Sequence, residues 1–448
     1  MMMERLLNKT VLITFGLFTL LFHASVSLLQ YFIDINGLLI VDYIILGLIA
    51  IGAILYFGKQ QIPIRFQPAQ VLLILFIIWN ILSCISMSIK YNNDWVDYNG
   101  PSMLSTAVSL LLAFPLGYVL IREKKNTAGN IILHILLASW TIFIAYVLIR
   151  VFQGQKIITP NGGVIRMTKR SLQLNCNRNT TGALEMLFFL GCVFMAFRSK
   201  RHSVRLFYGL SSVIHYVALT LSNSRASIYA TMIGFVALIG FSVYARMEKK
   251  PHRLLISIIA ALLAGAAFYL LSNPVFRLYS VSSGAKVSAR SAIKDATLNG
   301  RTTIWKCAIE GIFTSIRTAL FGVTPVSITE MITQMSDGKI QNMYTHNQFL
   351  EVAAGIGIPG LCIFLAWFAL IIKDIYKLFF IRKDRTLFLA VPVIILTLML
   401  ANMVESYLLF YFYFSGFVFF LLCGMLHGRV NEPAKGKQLT RQMRRHKK

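Results

Sequence analysis

Acidic side chains are scarce in this sequence: 17 Asp and Glu stand against 44 Lys and Arg in 448 residues. The positive excess suits contact with anionic lipid and phosphate-bearing partners. Cysteine is also sparse. The six residues, at 84, 176, 192, 307, 362 and 423, form no CxxC pair and no metal-ligand spacing, which excludes a zinc ribbon or a disulfide-stapled scaffold. HExxH is absent, and so is any DxD in the segments assigned below to the outer side, so neither a metal nor another cofactor is expected. No internal repeat recurs, which argues against a carrier built from two matched halves. Charge of either sign makes up just 14% of the chain. A soluble protein of this length needs more polar surface than that.

What fills the space is apolar sequence, 56% of residues, with a mean hydropathy of +0.67. A bilayer core about 30 Å thick needs roughly 20 apolar residues per helical span. About twelve runs meet that length: 10–32, 38–57, 69–89, 103–121, 130–149, 180–197, 206–221, 226–245, 254–272, 352–372, 386–404 and 406–426. None contains Lys or Arg, and just Asp42 and Glu185 put an acid inside one. The first run is too long for a signal peptide and lacks a small-residue cleavage site, so it is expected to remain as a span. The fold class is therefore all-α, a polytopic membrane protein.

Short basic loops stay on the cytoplasmic side of a membrane. Segments 1–9, 58–68, 122–129, 198–205, 246–253, 373–385 and 428–448 hold 28 of the 44 Lys and Arg, which places both termini in the cytoplasm. The basic tail 428–448 is explained as an anchor on anionic lipid. Nucleic acid is not an expected partner, because no folded domain or aromatic interleaving accompanies the charge. The chain divides into helices 1–6 over 1–205, a core over 206–372, two last helices over 373–427, and the tail.

Two outward segments are longer than connectors. Segment 150–179 carries Lys156, Arg166, Lys169, Arg170 and Arg178 without an acid. Segment 273–351 is the one large extramembrane piece. Inside it Ile304, Trp305, Ala308, Ile309, Ile312, Phe313, Ile316 and Leu320 recur at helical spacing, which predicts an amphipathic helix lying on the membrane or against the bundle. Gly322 and Pro325 end it.

The outward side also gathers the residues able to do chemistry. His346 is the one outward histidine, and imidazole titrates near neutrality, as a general base requires. Asn347 beside it can hold a ligand or cap a helix. Gly355, Gly357, Pro359 and Gly360 follow, a pattern that permits a broken helix. Arg225 sits in LSNSRAS at the tip between two spans, and Arg301 opens the amphipathic helix. Two arginines and a helix start on one side suit a diphosphate, because guanidinium forks match phosphate oxygens. Snorkelling to the interface is the bland alternative for Arg225. Glu351 and Glu405 lie near the same surface, and Glu351 is too far around a helix to orient His346.

Ser224-Arg225, Arg301 with Trp305, and His346-Asn347 followed by the glycines and Pro359 together resemble the O-antigen ligase and polymerase superfamily of membrane glycosyltransferases. The resemblance covers 206–372. Gly322-Val323-Thr324 departs from it, since relatives commonly repeat glycine there. It implies sugar transfer, inverting and without metal, on the outer face of the bacterial cytoplasmic membrane. The donor would be a glycan on undecaprenyl pyrophosphate, and the acceptor a sugar hydroxyl of a glycan or glycolipid. Arg225 and Arg301 would hold the pyrophosphate, His346 would serve the acceptor hydroxyl or the diphosphate, and Asn347, Arg166, Lys169 and Arg170 would bind substrate. A polymerase of the same family is the nearest alternative. A lipid-linked glycan flippase or other transporter, and a non-catalytic envelope scaffold, are rivals from other classes.

Overall fold

The computed structural model describes residues 67–91, most of 106–118, 127–158, 164–168, 171–174, 177–247, 251–283, 300–381, 390–410 and 414–431. The spans expected at 10–32 and 38–57, Asp42, Lys169, Arg170 and the tail beyond 431 lie outside the described residues. Helix dominates the remainder: α1 (Pro68–Tyr91), α2 (Thr127–Phe152), α3 (Arg178–Arg198), α4 (His202–Ser222), α5 (Arg225–Arg246) and α6 (Arg253–Ser283) come first. After them run α7 (Arg301–Ile312), α8 (Ile316–Phe321), α9 (Ile328–Met335), α10 (Gln348–Tyr376), α11 (Ala390–Asn402) and α12 (Phe414–Val430). Among the described residues 7 helices are long and apolar enough to cross a membrane, and they coincide with expected apolar runs. The expected eleventh run contains the shorter apolar helix α11, whereas the twelfth only overlaps α12, which starts at Phe414 and runs on to Val430; residues 406–410 are not helical. The run at 103–121 carries a π-helical turn, Ser109–Ala113.

The chain is not purely helical. Within segment 150–179, β1 (Ile157–Ile158), β2 (Val164–Met167) and β3 (Leu172–Leu174) form a three-stranded antiparallel sheet. Alternation explains it: Ile165, Leu172 and Leu174 are buried, whereas Arg166, paired with Gln173, faces out. The two-residue period is too short a signal to stand out beside twenty-residue apolar runs.

The expected single amphipathic helix over 304–320 is two helices. Ser315 breaks it, accepting from Thr318 N at 3.1 Å while its own N–H donates to Thr318 Oγ1 at 3.0 Å, a capping box that starts α8 afresh. The buried stripe is also narrower than expected. Ile304, Ala308 and Ile312 pack with Ile328, Met331 and Ile332 of α9 and with Ala353 and Ala354 of α10. Ile309, Phe313, Ile316 and Leu320 stay exposed, Ile316 by 82%.

Helix α10 is broken where the glycines and proline predicted it. Ile356 and Gly357 leave helical geometry, Gly357 with φ 79°, and a Cβ there would stand 2.1 Å from the Leu320 carbonyl oxygen. Pro359 supplies no N–H to the carbonyl of Gly355. That carbonyl instead accepts from Thr324 N at 2.9 Å, its neighbour Ala354 from Val323 N at 2.8 Å, and Ile356 from Trp79 Nε1 at 2.9 Å. The segment after α8 is thereby stitched onto the kink. Gly322 is tied there too, with φ 69° and a Cβ position 2.4 Å from Gly355.

Candidate functional site

The site forms where one end of the bundle meets the α7–α9 layer. Thr345, His346 and Asn347 lead into α10. The Asn347 side chain accepts from Phe349 N at 3.0 Å and Leu350 N at 3.2 Å, so its carbonyl is committed to capping the helix. Thr345 is pinned from the other side: its N–H donates to Glu351 Oε2 at 3.1 Å, and its hydroxyl contacts the same carboxylate. Held at both flanks, His346 adopts a left-handed backbone, φ 49°. Such a conformation is tolerated where the surroundings over-determine it, and here it aims the ring at a neighbouring loop. Glu351 bonds Thr345 rather than His346, and helical phase is not the reason, because His346 precedes the start of α10.

That loop carries Glu405. Asn402 at the end of α11 accepts from Tyr407 N at 2.7 Å, and Gln348 of α10 accepts from Leu408 N at 3.0 Å. Between those ties the Glu405 carboxylate is nearly buried and receives three side chains. Nδ1 of His346 lies 3.0 Å from Oε2, Nδ2 of Asn179 donates to Oε1 at 2.8 Å, and Nη2 of Arg301 donates to Oε1 as well. Next to Arg301, Trp305 donates from Nε1 to the Thr345 carbonyl at 2.9 Å, which ties α7 to the base of the histidine.

This arrangement has direct chemical consequences. An ionised Glu405 takes the Nδ1 proton as its hydrogen bond, which leaves Nε2 as the lone-pair nitrogen of a neutral imidazole. Nε2 has no hydrogen-bond partner among the described residues. Guanidinium presents five N–H donors, and Glu405 is the one partner of Arg301 among the described residues, so donors remain for an anion. Arg301 keeps 17% of its side chain open to solvent.

The sequence-predicted residues fare differently. His346 and Arg301 are brought onto one carboxylate. Arg225 begins α5 directly after Asn223, a left-handed residue with φ 52°, and Ser224. That turn packs on α3, where a Cβ added to Gly182 would stand 2.5 Å from Ser224 Cβ, one turn below Asn179. Arg225 thus enters the same end of the bundle. Asn347 acts as a cap. The Arg166 side chain stands on the open face of β2 with no hydrogen-bond or ion-pair partner among the described residues. The sheet behind it leads into α3, with Leu174 N donating to Thr181 Oγ1 at 3.2 Å. Lys169 and Arg170 fall outside the described residues.

Glu405 and Asn179 are the members that sequence reasoning left without a role. Glu405 gave one signal, an acid where two apolar runs meet; Asn179 gave none. The stretch from α4 to the middle of α10, residues 210–365, matches the family model for O-antigen ligase. That core is similar to the O-antigen ligase family. The match holds Arg225, Arg301, Trp305, His346 and Asn347, so the resemblance carried by those residues is borne out. Glu405 and Asn179 are supplied from outside the matched stretch. No curated protein matches the chain.

Proposed function

We propose that this protein is a membrane glycosyltransferase that moves a glycan from undecaprenyl pyrophosphate to a sugar hydroxyl on the outer face of the cytoplasmic membrane. The observation that supports it best is the shared carboxylate, which sets a base and an anion-binding guanidinium side by side. In this reading the acceptor hydroxyl attacks the anomeric carbon while the bond to the pyrophosphate oxygen breaks. The hydroxyl proton goes to Nε2 of His346, and Glu405 stabilises the imidazolium that results. Arg301 and Arg225 hold the departing diphosphate, whose charge grows as the bond breaks. Attack from the face opposite the leaving group inverts the anomeric centre. No metal is required in the scheme, because the leaving group is already good and its charge is met by arginine.

The exposed Arg166 and its basic neighbours Lys169 and Arg170 are proposed to dock a phosphate-bearing acceptor. A ligase reading is preferred to a polymerase on the family's name alone. Both need the same donor machinery, so substrate supply must separate them. The deciding experiment incubates purified protein with lipid-linked glycan in the presence of chelator and follows release of undecaprenyl pyrophosphate. Release that requires a separate acceptor supports the ligase, and a ladder of longer lipid-linked glycans from donor alone identifies a polymerase. Absence of release with any acceptor overturns the transferase reading and favours a flippase. Activity that chelator abolishes and divalent metal restores overturns the metal-free scheme.

A further inference from the structure

A second polar cluster lies inside the apolar bundle, away from the Glu405 site. Glu185 of α3 is fully buried. Its Oε1 accepts from Trp140 Nε1 of α2 at 3.0 Å, and its Oε2 lies 2.7 Å from Nδ1 of His215 in α4. His215 is fully buried as well, with Phe188 stacked on its ring at 5.6 Å. Its other nitrogen, Nε2, lies 3.0 Å from Thr141 Oγ1. An acid and a histidine at this depth tie three helices together, and ionisable groups within spans are seldom kept without a role.

Thr141 fixes where the protons are. Its hydroxyl lies 2.6 Å from the carbonyl oxygen of Leu137, one turn earlier on α2. A carbonyl only accepts, so the single hydroxyl proton points there and the oxygen offers a lone pair to the imidazole. Nε2 must therefore carry hydrogen. The 2.7 Å contact on the other side of the ring needs one proton of its own, held on Nδ1 or on the carboxyl. Imidazolium with carboxylate and imidazole with carboxylic acid both satisfy that count, and both are neutral as a unit. Either form avoids leaving a net charge among apolar helices. The titratable groups around the pair do not change the count. The Cys192 thiol reaches Thr141 from α3, and His134 of α2 and Tyr208 of α4 bond each other nearer the far end. From α12, Phe414 stacks on Phe188.

We propose that Glu185 and His215 form a proton site within the bundle, holding one shared proton as a neutral unit and locking α3 against α4 beneath the transfer site. Both helices end at that site. Asn179, which holds Glu405, heads α3 less than two turns from Glu185, and α4 runs into the Ser222–Arg225 turn that packs on Gly182. Glu185 and His215 are positioning residues, acting through Asn179 and the Arg225 turn.

The test has two arms, and just the second rests on the proposed transfer reaction. In the first, 15N-histidine-labelled protein in lipid nanodiscs is examined by NMR, with His215 assigned by loss of its signals in His215→Gln. A protonated Nε2 is expected. A bare Nε2, with Nδ1 alone protonated beside an ionised Glu185, overturns the proposal. The second arm compares transfer rates at equal membrane abundance. Glu185→Gln keeps every contact, since its amide can donate to Nδ1 and accept from Trp140, and should stay within about 3-fold of the parent. Glu185→Ala and His215→Ala should lose about 100-fold, the scale of a misplaced reacting group. Equal losses in Glu185→Gln and Glu185→Ala, or full activity in His215→Ala, overturn it. Absence of transfer in the parent protein defeats the transferase reading and leaves the NMR result to decide the proton.

Discussion

His346 and Arg301 share the two oxygens of one carboxylate: Nδ1 of the histidine faces Oε2 of Glu405 at 3.0 Å, and Nη2 of the arginine faces Oε1. Glutamine at 405 offers one oxygen and one amide nitrogen, so it cannot accept from histidine, arginine and Asn179 together. Glu405→Gln and Glu405→Ala are therefore expected to lower transfer by about 10²- to 10⁴-fold, the usual worth of a positioned base and its orienting partner. Initial rates of pyrophosphate-lipid release check this, with membrane abundance measured in parallel. Rates within a few-fold of the parent would detach Glu405 from the chemistry.

The two arginines should differ from lysine in kind. In the proposed scheme Arg301 serves Glu405 and an incoming anion at once, which a planar fork can do and a point charge cannot. Arg301→Ala and Arg225→Ala are each expected to cost about 10²- to 10³-fold. Arg301→Lys should recover no more than about a tenth of the lost rate. Full recovery by lysine would show that charge alone is needed at this position.

Thr324 is a β-branched residue with φ 71°, at a place where the family resemblance leads one to expect glycine. The left-handed backbone costs such a residue about 1–3 kcal/mol. Glycine would relieve it, but would surrender up to about 1 kcal/mol to unfolded-state entropy and lose the 3.4 Å contact from Thr324 Oγ1 to Ser327. The net expectation for Thr324→Gly is a gain of about 1 kcal/mol, read as a higher unfolding midpoint in detergent. Gly322→Ala should do the reverse, because its Cβ meets the Gly355 backbone. A lower midpoint for Thr324→Gly would mean that the hydroxyl contact outweighs the strain.

Sidedness follows from the short basic loops. In a background cleared of native cysteine, Lys339→Cys should react with impermeant maleimide in intact spheroplasts. Lys200→Cys should react after lysis alone. Both positions are exposed, Lys339 by 81% of its side chain, so access to water is not limiting. The opposite pattern would place the Glu405 site in the cytoplasm and end the lipid-linked glycan scheme.

Reading order along the chain made some of this legible and hid the rest. The apolar runs, the break at Gly357 and Pro359, and the candidates Arg225, Arg301 and His346 are all written locally, in length, spacing or residue type. Glu405 was visible as an acid but not as a partner, because its companions arrive from α3, α7 and the start of α10. Pairing across such distances depends on how helices stack, which no local pattern encodes. The capping box at Ser315 was legible in principle, yet the apolar stripe running through it suggested continuity. The small sheet at 157–174 was missed because three short strands give too few alternations to register. The Glu185–His215 pair was half visible: Glu185 stood out as an acid inside a span, and only helix packing joins it to His215.

The break in α10 has a mechanical consequence. An uninterrupted helix transmits rotation: one inserted residue turns everything beyond it by about 100°. Here the carbonyls of Ala354, Gly355 and Ile356 are held by Val323, Thr324 and Trp79, so the stub from Gln348 to Gly355 takes its phase from the α8 loop and α1. The lower half takes its phase from its own neighbours in the bundle. A residue inserted below Gly357 should leave His346 facing Glu405, whereas one inserted within the stub should swing the ring away. The kink acts as a slip joint, insulating the aim of the histidine from whatever tilt or twist the surrounding bilayer imposes on the rest of the helix.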